Sequence, residues 1–288
     1  DFQAFGTNIS AQYAPDNPNG NPDTASADGT IFKITGTWRP NVSQMWYATL
    51  SEGFRPGLLN RPGGAEGPGG YTVPFALDTD DVTNFEIGTK SMFFDSSLQL
   101  NASAFFVDIE RLQTTIFDPS ITNLFFSDNA ANAEVMGLEG DFTWLPGWSD
   151  RWTFTGAFSF LDTEITEVLT PTNDVQAGDE LAFAPSFQGT LRARYEWPMG
   201  RLMAHVMPMA SWASKSYSDV IRINRDEIDS WAMASITAGL SAETWSAELF
   251  INNITDERAE VARNFVFDRT QVTYAQPLTV GVRASFNF

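Results

Sequence analysis

Cysteine is absent from the 288 residues, which excludes disulfides, thiolate metal ligands and a cysteine nucleophile together. Histidine occurs once, as His205, so a histidine-rich metal centre and a Ser-His-Asp triad both lack material. Cations are scarce: 17 Lys and Arg stand against 36 Asp and Glu, a formal charge of −19. Neutralising phosphates needs clustered cations, so nucleic acid is not an expected partner. No stretch reaches the ~20 apolar residues that a membrane-spanning helix requires. The chain opens Asp1-Phe2-Gln3, with neither Met nor a signal peptide, as expected of a mature form or a fragment.

Aromatic side chains are what the sequence has in excess, with nine Trp and 24 Phe in an otherwise polar chain. They recur with period two. The final segment, PLTVGVRASFNF, sets Leu278, Val280, Val282, Ala284, Phe286 and Phe288 on one face and Thr279, Gly281, Arg283, Ser285 and Asn287 on the other. Successive strand residues point to opposite faces, so this is a strand with one apolar and one polar side. Phe286 and Phe288 mark a strand that stays apolar to its last residue. The same rhythm predicts strands at 30–39, 43–54, 82–94, 97–117, 135–145, 151–161, 183–197, 201–215, 230–240 and 244–252, with a weak one at 1–14. A phase slip near Val107 predicts a bulge, and Pro208, lacking an N–H, predicts a bulged or unpaired position.

That makes about twelve strands of roughly 10 to 15 residues, longer than the ~5–6 of globular sheets and suited to a tilted membrane crossing. Short turns and long loops alternate strictly along the chain. An outer-membrane barrel sorts its connections this way, with short turns at the periplasmic end and long loops outside. Trp38, Trp144, Trp152, Trp197 and Trp245 all lie within a few residues of short turns, the placement of an aromatic girdle at one membrane interface. The reading is an all-β protein, residues 1–288 as a single domain. It is a transmembrane antiparallel up-and-down β-barrel, multi-pass in the bacterial outer membrane and in contact with outer-membrane lipid.

Six segments, in order, resemble TonB-dependent outer-membrane receptors. They are YATLSEGFRPGLLNR from Tyr47, TNFEIGTK from Thr83, LQLNASAFFVD from Leu98, NAEVMGLE from Asn132, FINNITDER from Phe250 and the closing strand from Gln276. The resemblance covers nearly the whole chain from about Gly29. Barrels of this family are the 22-stranded, plugged kind. The resemblance therefore implies the C-terminal half of such a barrel, with the plug domain and its TonB box absent. A twelve-stranded barrel closing on itself is the structural alternative. The implied function is a receptor-transporter that binds a scarce nutrient, foremost a ferric siderophore in iron uptake, and imports it with TonB energy. Its implied partners are the small-molecule nutrient, the N-terminal half of the barrel, and TonB acting through the missing plug. The alternative is a structural or interaction subunit of a larger outer-membrane complex.

No residue set reads as catalytic, so no enzyme activity and no cofactor is expected. Glu164 with Glu167, and Asp179 with Glu180, read as solvated loop carboxylates. Asp78-Thr79-Asp80-Asp81 supplies oxygen ligands without the glycine-bearing spacing of a calcium loop. His205 sits beside Met203, Met207 and Met209 and reads as packed or plug-facing rather than as a metal ligand. The expected ligand contacts are loop cations and aromatics: Arg55, Arg61 and Tyr71 in one long loop, Tyr217 and Arg222 in another, and Arg269 in the last. Arginine pairs bidentately with carboxylates on an anionic chelate.

Overall fold

The computed structural model describes residues 3–4, 7–8, 27–60, 63–266 and 269–286. Eleven strands form one sheet: β1 Lys33–Asn41, β2 Gln44–Arg55, β3 Asp80–Phe93, β4 Leu98–Ile116, β5 Phe126–Trp144, β6 Trp152–Val168, β7 Phe187–Met199, β8 Leu202–Ala213, β9 Trp231–Ser241, β10 Trp245–Asn252 and β11 Thr279–Phe286. Each pairs antiparallel with its sequence neighbours, from β1 at one edge to β11 at the other. Among the described residues β1 and β11 do not pair with each other, so the described sheet is open. Of the weak candidate at 1–14, the described residues show only Gln3–Ala4 paired with Thr7–Asn8, outside the main sheet.

Register carries the period-two pattern across the sheet. Gly36, Ala48, Ile87, Ala104, Leu138, Phe160 and Phe187 stand directly opposite one another from β1 to β7. Trp152, Tyr195, Val206, Ala238, Leu249 and Val282 continue the same face from β6 to β11. That face is left bare: Ile34 and Trp38 are each 65% exposed and Val282 74%. Contiguous exposed apolar surface of this extent marks a face that meets something other than water. The opposite face carries Lys90, Asn101, Asp141 and Thr190 in register. On it, aromatics lie over cross-strand glycines. A Cβ on Gly137 would fall 2.4 Å from the Phe105 ring opposite it, and one on Gly281 would fall 2.3 Å from Phe250. Glycine is required there by close approach.

The faces exchange polarity toward the long-loop end. On β6 the apolar Phe158 and Phe160 are followed on the same face by Asp162 and Glu164, while Thr163 and Ile165 on the other face become buried. In register with Glu164 stand Glu134 and Asp108, all three acidic. This swap hides the strand period. It corrects the reading of Glu164 and Glu167 as loop residues, since both belong to β6. For the same reason β5 begins at Phe126 rather than near 135. The bulge lies farther along than Val107: the β4–β5 register shifts between Ile109 and Leu112, where Arg111 takes a φ of 57°. Pro208 pairs in register with Ile236 on β9 but interrupts the β7–β8 ladder between Val206 and Met209, without a bulge.

Candidate ligand-facing loop cap

The connections sort by length as expected. Residues 42–43, 94–97, 145–151, 200–201 and 242–244 make the short turns at one end, and 56–79, 117–125, 169–186, 214–230 and 253–278 the long loops at the other. Gly200, with a φ of 66°, supplies the left-handed residue that its two-residue turn needs. All five predicted tryptophans stand at the short-turn end. Trp38 faces Trp46, and Trp245 faces Phe286. Trp144, Phe154, Trp152, Tyr195 and Trp197 form a run of rings with centroids 4.8 to 5.5 Å apart. Phe288 lies outside the described residues.

The buried core of the chain lies at the other end, among the long loops. Val73, Ile121, Val175, Val220 and Ile221 come from four different loops and pack on Ile116, Phe126, Ala130, Ala131 and Ile165 of the strand ends. Because Ile165 shares the polar face of β6, the loops fold over that face rather than over the apolar one. Phe126 is 1% exposed. A polar network fastens the same region. Tyr71 and Thr170 each donate to Asp128 Oδ2, Tyr71 at 2.5 Å. Gln113 Nε2 donates to the carbonyls of Arg55, Pro56 and Asp78, and Asn129 exchanges hydrogen bonds with Asp78 in both directions. Burial, with the Asp128 carboxylate beside it, pushes the Tyr71 hydroxyl well above the ordinary tyrosine range and keeps it a donor.

Most of the predicted contacts are already engaged. Arg55 donates from Nε and Nη2 to Asp80 Oδ2, from its backbone N–H to Asp80 Oδ1, and from Nη2 to the Gln113 carbonyl. Arg222 donates to Asp179 at 2.7 Å and to Gln176 at 2.8 Å. Tyr217 lies under the Arg225 guanidinium, 3.9 Å from the ring centre. Arg269 is exposed and pairs with no described carboxylate. Arg61 lies outside the described residues. In the acidic run, Asp80 is held by Arg55 and Asp81 by Arg111, so two of the carboxylates expected to be solvated are in ion pairs. Asp179 likewise pairs with Arg222. His205 is buried on the polar face, opposite Gly239, with Nε2 3.4 Å from Glu248 Oε1. No group of described residues is arranged to hold a metal ion.

Two carboxylates that sequence reading passed over organise the cap. Asp174 accepts from the backbone N–H groups of Ile223 at 3.0 Å and Phe117 at 3.4 Å, tying three loops together. Asp118 accepts from the Ser120 amide and hydroxyl and from Thr172 Oγ1. The Asp-Pro-Ser run at 118–120 carried the signature of an Asx turn, the one local signal that pointed to it. Burial pushes the Asp174 carboxyl above the usual 3.8, despite its two amide hydrogen bonds. Burial opposes the Asp118 charge as well, but there the hydrogen bonds from Ser120 and Thr172 prevail and hold it below 3.8.

The two shifts act in opposite directions on stability. Raised Asp174 binds its proton more tightly in the folded cap, so its contribution is present below 3.8 and lost as pH rises through its folded value. Lowered Asp118 contributes above 3.8 and loses that contribution as pH falls through its folded value. Hydrogen exchange of the cap amides, corrected for intrinsic rates, is expected to lose its alkaline-side rise in Asp174→Ala and its acid-side rise in Asp118→Ala. A profile unchanged in either variant would show that the residue does not titrate in the cap as assigned.

The family model described as TonB dependent receptor-like, beta-barrel, matches residues 5–254. A probable TonB-dependent siderophore receptor, PiuA, from Acinetobacter baumannii is 22% identical over 250 residues, covering 81% of this chain and 31% of the relative. Among solved structures, the ferric yersiniabactin uptake receptor FyuA from Yersinia pestis superposes with a TM-score of 0.69 at 16% identity, covering 89% of this chain and 37% of that one. The siderophore receptor PiuA from Acinetobacter baumannii gives 0.66 at 21% identity, covering 88% and 35%. The chain thus spans about a third of the length of the relatives it matches, and the structural likeness is one of fold.

Proposed function

This chain belongs to the TonB-dependent receptor β-barrel family, and from that premise we propose that it forms the C-terminal half of an outer-membrane receptor that imports a ferric siderophore. The observation that carries the reading is the open eleven-stranded meander, bare and apolar on one face and capped by long loops at the end of the other. Among the described residues both edge strands offer unpaired backbone groups, which an N-terminal set of strands would take up. The apolar face then meets outer-membrane lipid, with Trp38, Trp144, Trp152, Trp197 and Trp245 as the periplasmic girdle. The polar face lines the lumen around a plug domain, and TonB acts on that plug to release the ligand. The similar relatives and structures named for siderophore receptors and ferric uptake support the ligand class.

Uptake of radioactive iron tests it. Cells lacking their own ferric-chelate receptors, but carrying the complete receptor that contains this chain, are expected to accumulate iron from a supplied siderophore only when TonB is present. Accumulation that is equal without TonB would contradict the mechanism. No accumulation from any chelate would favour the alternative of a structural subunit in a larger outer-membrane complex.

A further inference from the structure

We propose, on the footing of the receptor reading above, that this half of the mouth selects a ferric chelate that carries positive charge. Of the arginines expected to grip an anionic ligand, Arg55 and Arg222 are consumed internally, as are most other cations of the cap. Arg55 pairs with Asp80, Arg111 with Asp81, Lys215 with Glu227, Arg222 with Asp179, and Arg263 with both Asp226 and Glu260. Arg225 is spent on the carbonyls of Glu180 and Asp219 and on the Tyr217 ring. Of the other described cations in the cap, Arg258 lies 5.0 Å over the Tyr274 ring and Arg269 is exposed. An anion drawing on the paired cations would have to break an existing pair, and a buried partner such as Asp80, 4% exposed, would be left uncompensated.

The carboxylates are in surplus. Glu66, Asp78, Asp229 and Glu257 are exposed in the loops and enter no ion pair with a described residue. The whole chain carries −19. Such a field raises the local concentration of cations and repels anions over about a Debye length. Between the loops lies a surface for the organic body of a chelate. Phe117 and Phe125 pack with ring centroids 4.9 Å apart, Phe125 is 45% exposed, and Ile223, joined to Phe117 through Asp174, is 56% exposed. An exposed aromatic ring on an acidic cap suits an ammonium group, which gains from the ring face and from the field.

Three ferric chelates distinguish the outcomes on the complete receptor: a trihydroxamate bearing a free ammonium, the same compound with that amine acetylated, and a tris-catecholate with three negative charges. At about 20 mM salt the ammonium compound is expected to bind at least ~10-fold more tightly than its acetylated counterpart, with the tris-catecholate weakest. The spread should collapse in about 0.5 M salt. Phe125→Ala is expected to weaken the ammonium chelate about two- to fivefold and the other two less. Tightest binding by the tris-catecholate, or a ranking indifferent to salt, would overturn the charge selection while leaving the receptor reading intact. Equal losses for all three chelates in Phe125→Ala would remove that ring from recognition. Binding of none of the three would overturn the charge selection together with the siderophore reading.

Discussion

Leu191→Arg is expected to lower the stability of the folded barrel by ~2–4 kcal/mol, the cost of a guanidinium near the midplane of the lipid-facing surface. Leu191 lies in β7, 41% exposed on the apolar face, opposite Gly156 on β6 and Ala210 on β8. Neither neighbour offers a charge or a hydrogen-bonding side chain to receive the new group. Its neighbour Arg192 points the other way, opposite Thr155 and Met209, and its strongest side-chain contact is a 3.3 Å hydrogen bond to the Met209 sulfur. Arg192→Leu therefore gives up one weak interaction on a face that already mixes polar and apolar groups, and should cost less than about 1 kcal/mol. Urea unfolding of the receptor in lipid vesicles measures both. Comparable losses from the two substitutions would contradict the facing assigned to β7.

Phe126→Ala is expected to cost ~3–5 kcal/mol, but in the cap rather than in the sheet. Phe126 is 1% exposed and packs within the cluster that joins four loops. Truncation leaves a cavity in the cluster of Ile116, Ile121 and Val73, whose backbones are fixed separately: Ile116 in the β4–β5 ladder, Ile121 by its N–H to the Asp118 carbonyl and Val73 by its N–H to the Ala65 carbonyl, so they cannot collapse fully onto it. Amide exchange in 56–79, 117–125 and 169–186 should accelerate, while exchange in the strands between the loops and the short turns stays slow. A variant whose strands loosen together with its loops would show that cap and sheet form one cooperative unit. Unchanged loop exchange would show that the cluster does not hold the cap.

The strands were legible wherever one face is bare and the other polar, because there the alternation has no competitor. It held for β7, where Leu191, Ala193 and Tyr195 alternate with Arg192 and Arg194, and for β10 and β11. It failed where loops cover the sheet. Phe126, Asp128 and Ala130, then Ala131 and Ala133, are buried at the start of β5: the covered face is filled by small and polar residues as well as Phe126, and its phase slips at the register shift between Asn129 and Ala131. At the end of β6 the polarity of the faces reverses, so acidic residues occupy the positions that hydrophobic ones hold lower down. The contacts of the cap were illegible for another reason. Asp128 receives Tyr71 from 57 residues away and Thr170 from 42, and no local pattern announces a hydrogen bond of that span. Arg55 and Arg222 illustrate the limit: their presence could be read from the sequence, but not that Asp80 and Asp179 had already claimed them.

The most direct test of the account uses the absence of native cysteine. Single cysteines placed in turn at residues 135 to 142 of β5, spin-labelled in the complete receptor in lipid, report collision rates with oxygen, which partitions into hydrocarbon, and with a water-soluble nickel chelate. The account predicts that 136, 138 and 142 favour oxygen, with 137, 139 and 141 less accessible to it, a modulation of period two along the strand. Equal oxygen accessibility at odd and even positions, or nickel accessibility highest at 136 and 138, would contradict a sheet with one face in lipid.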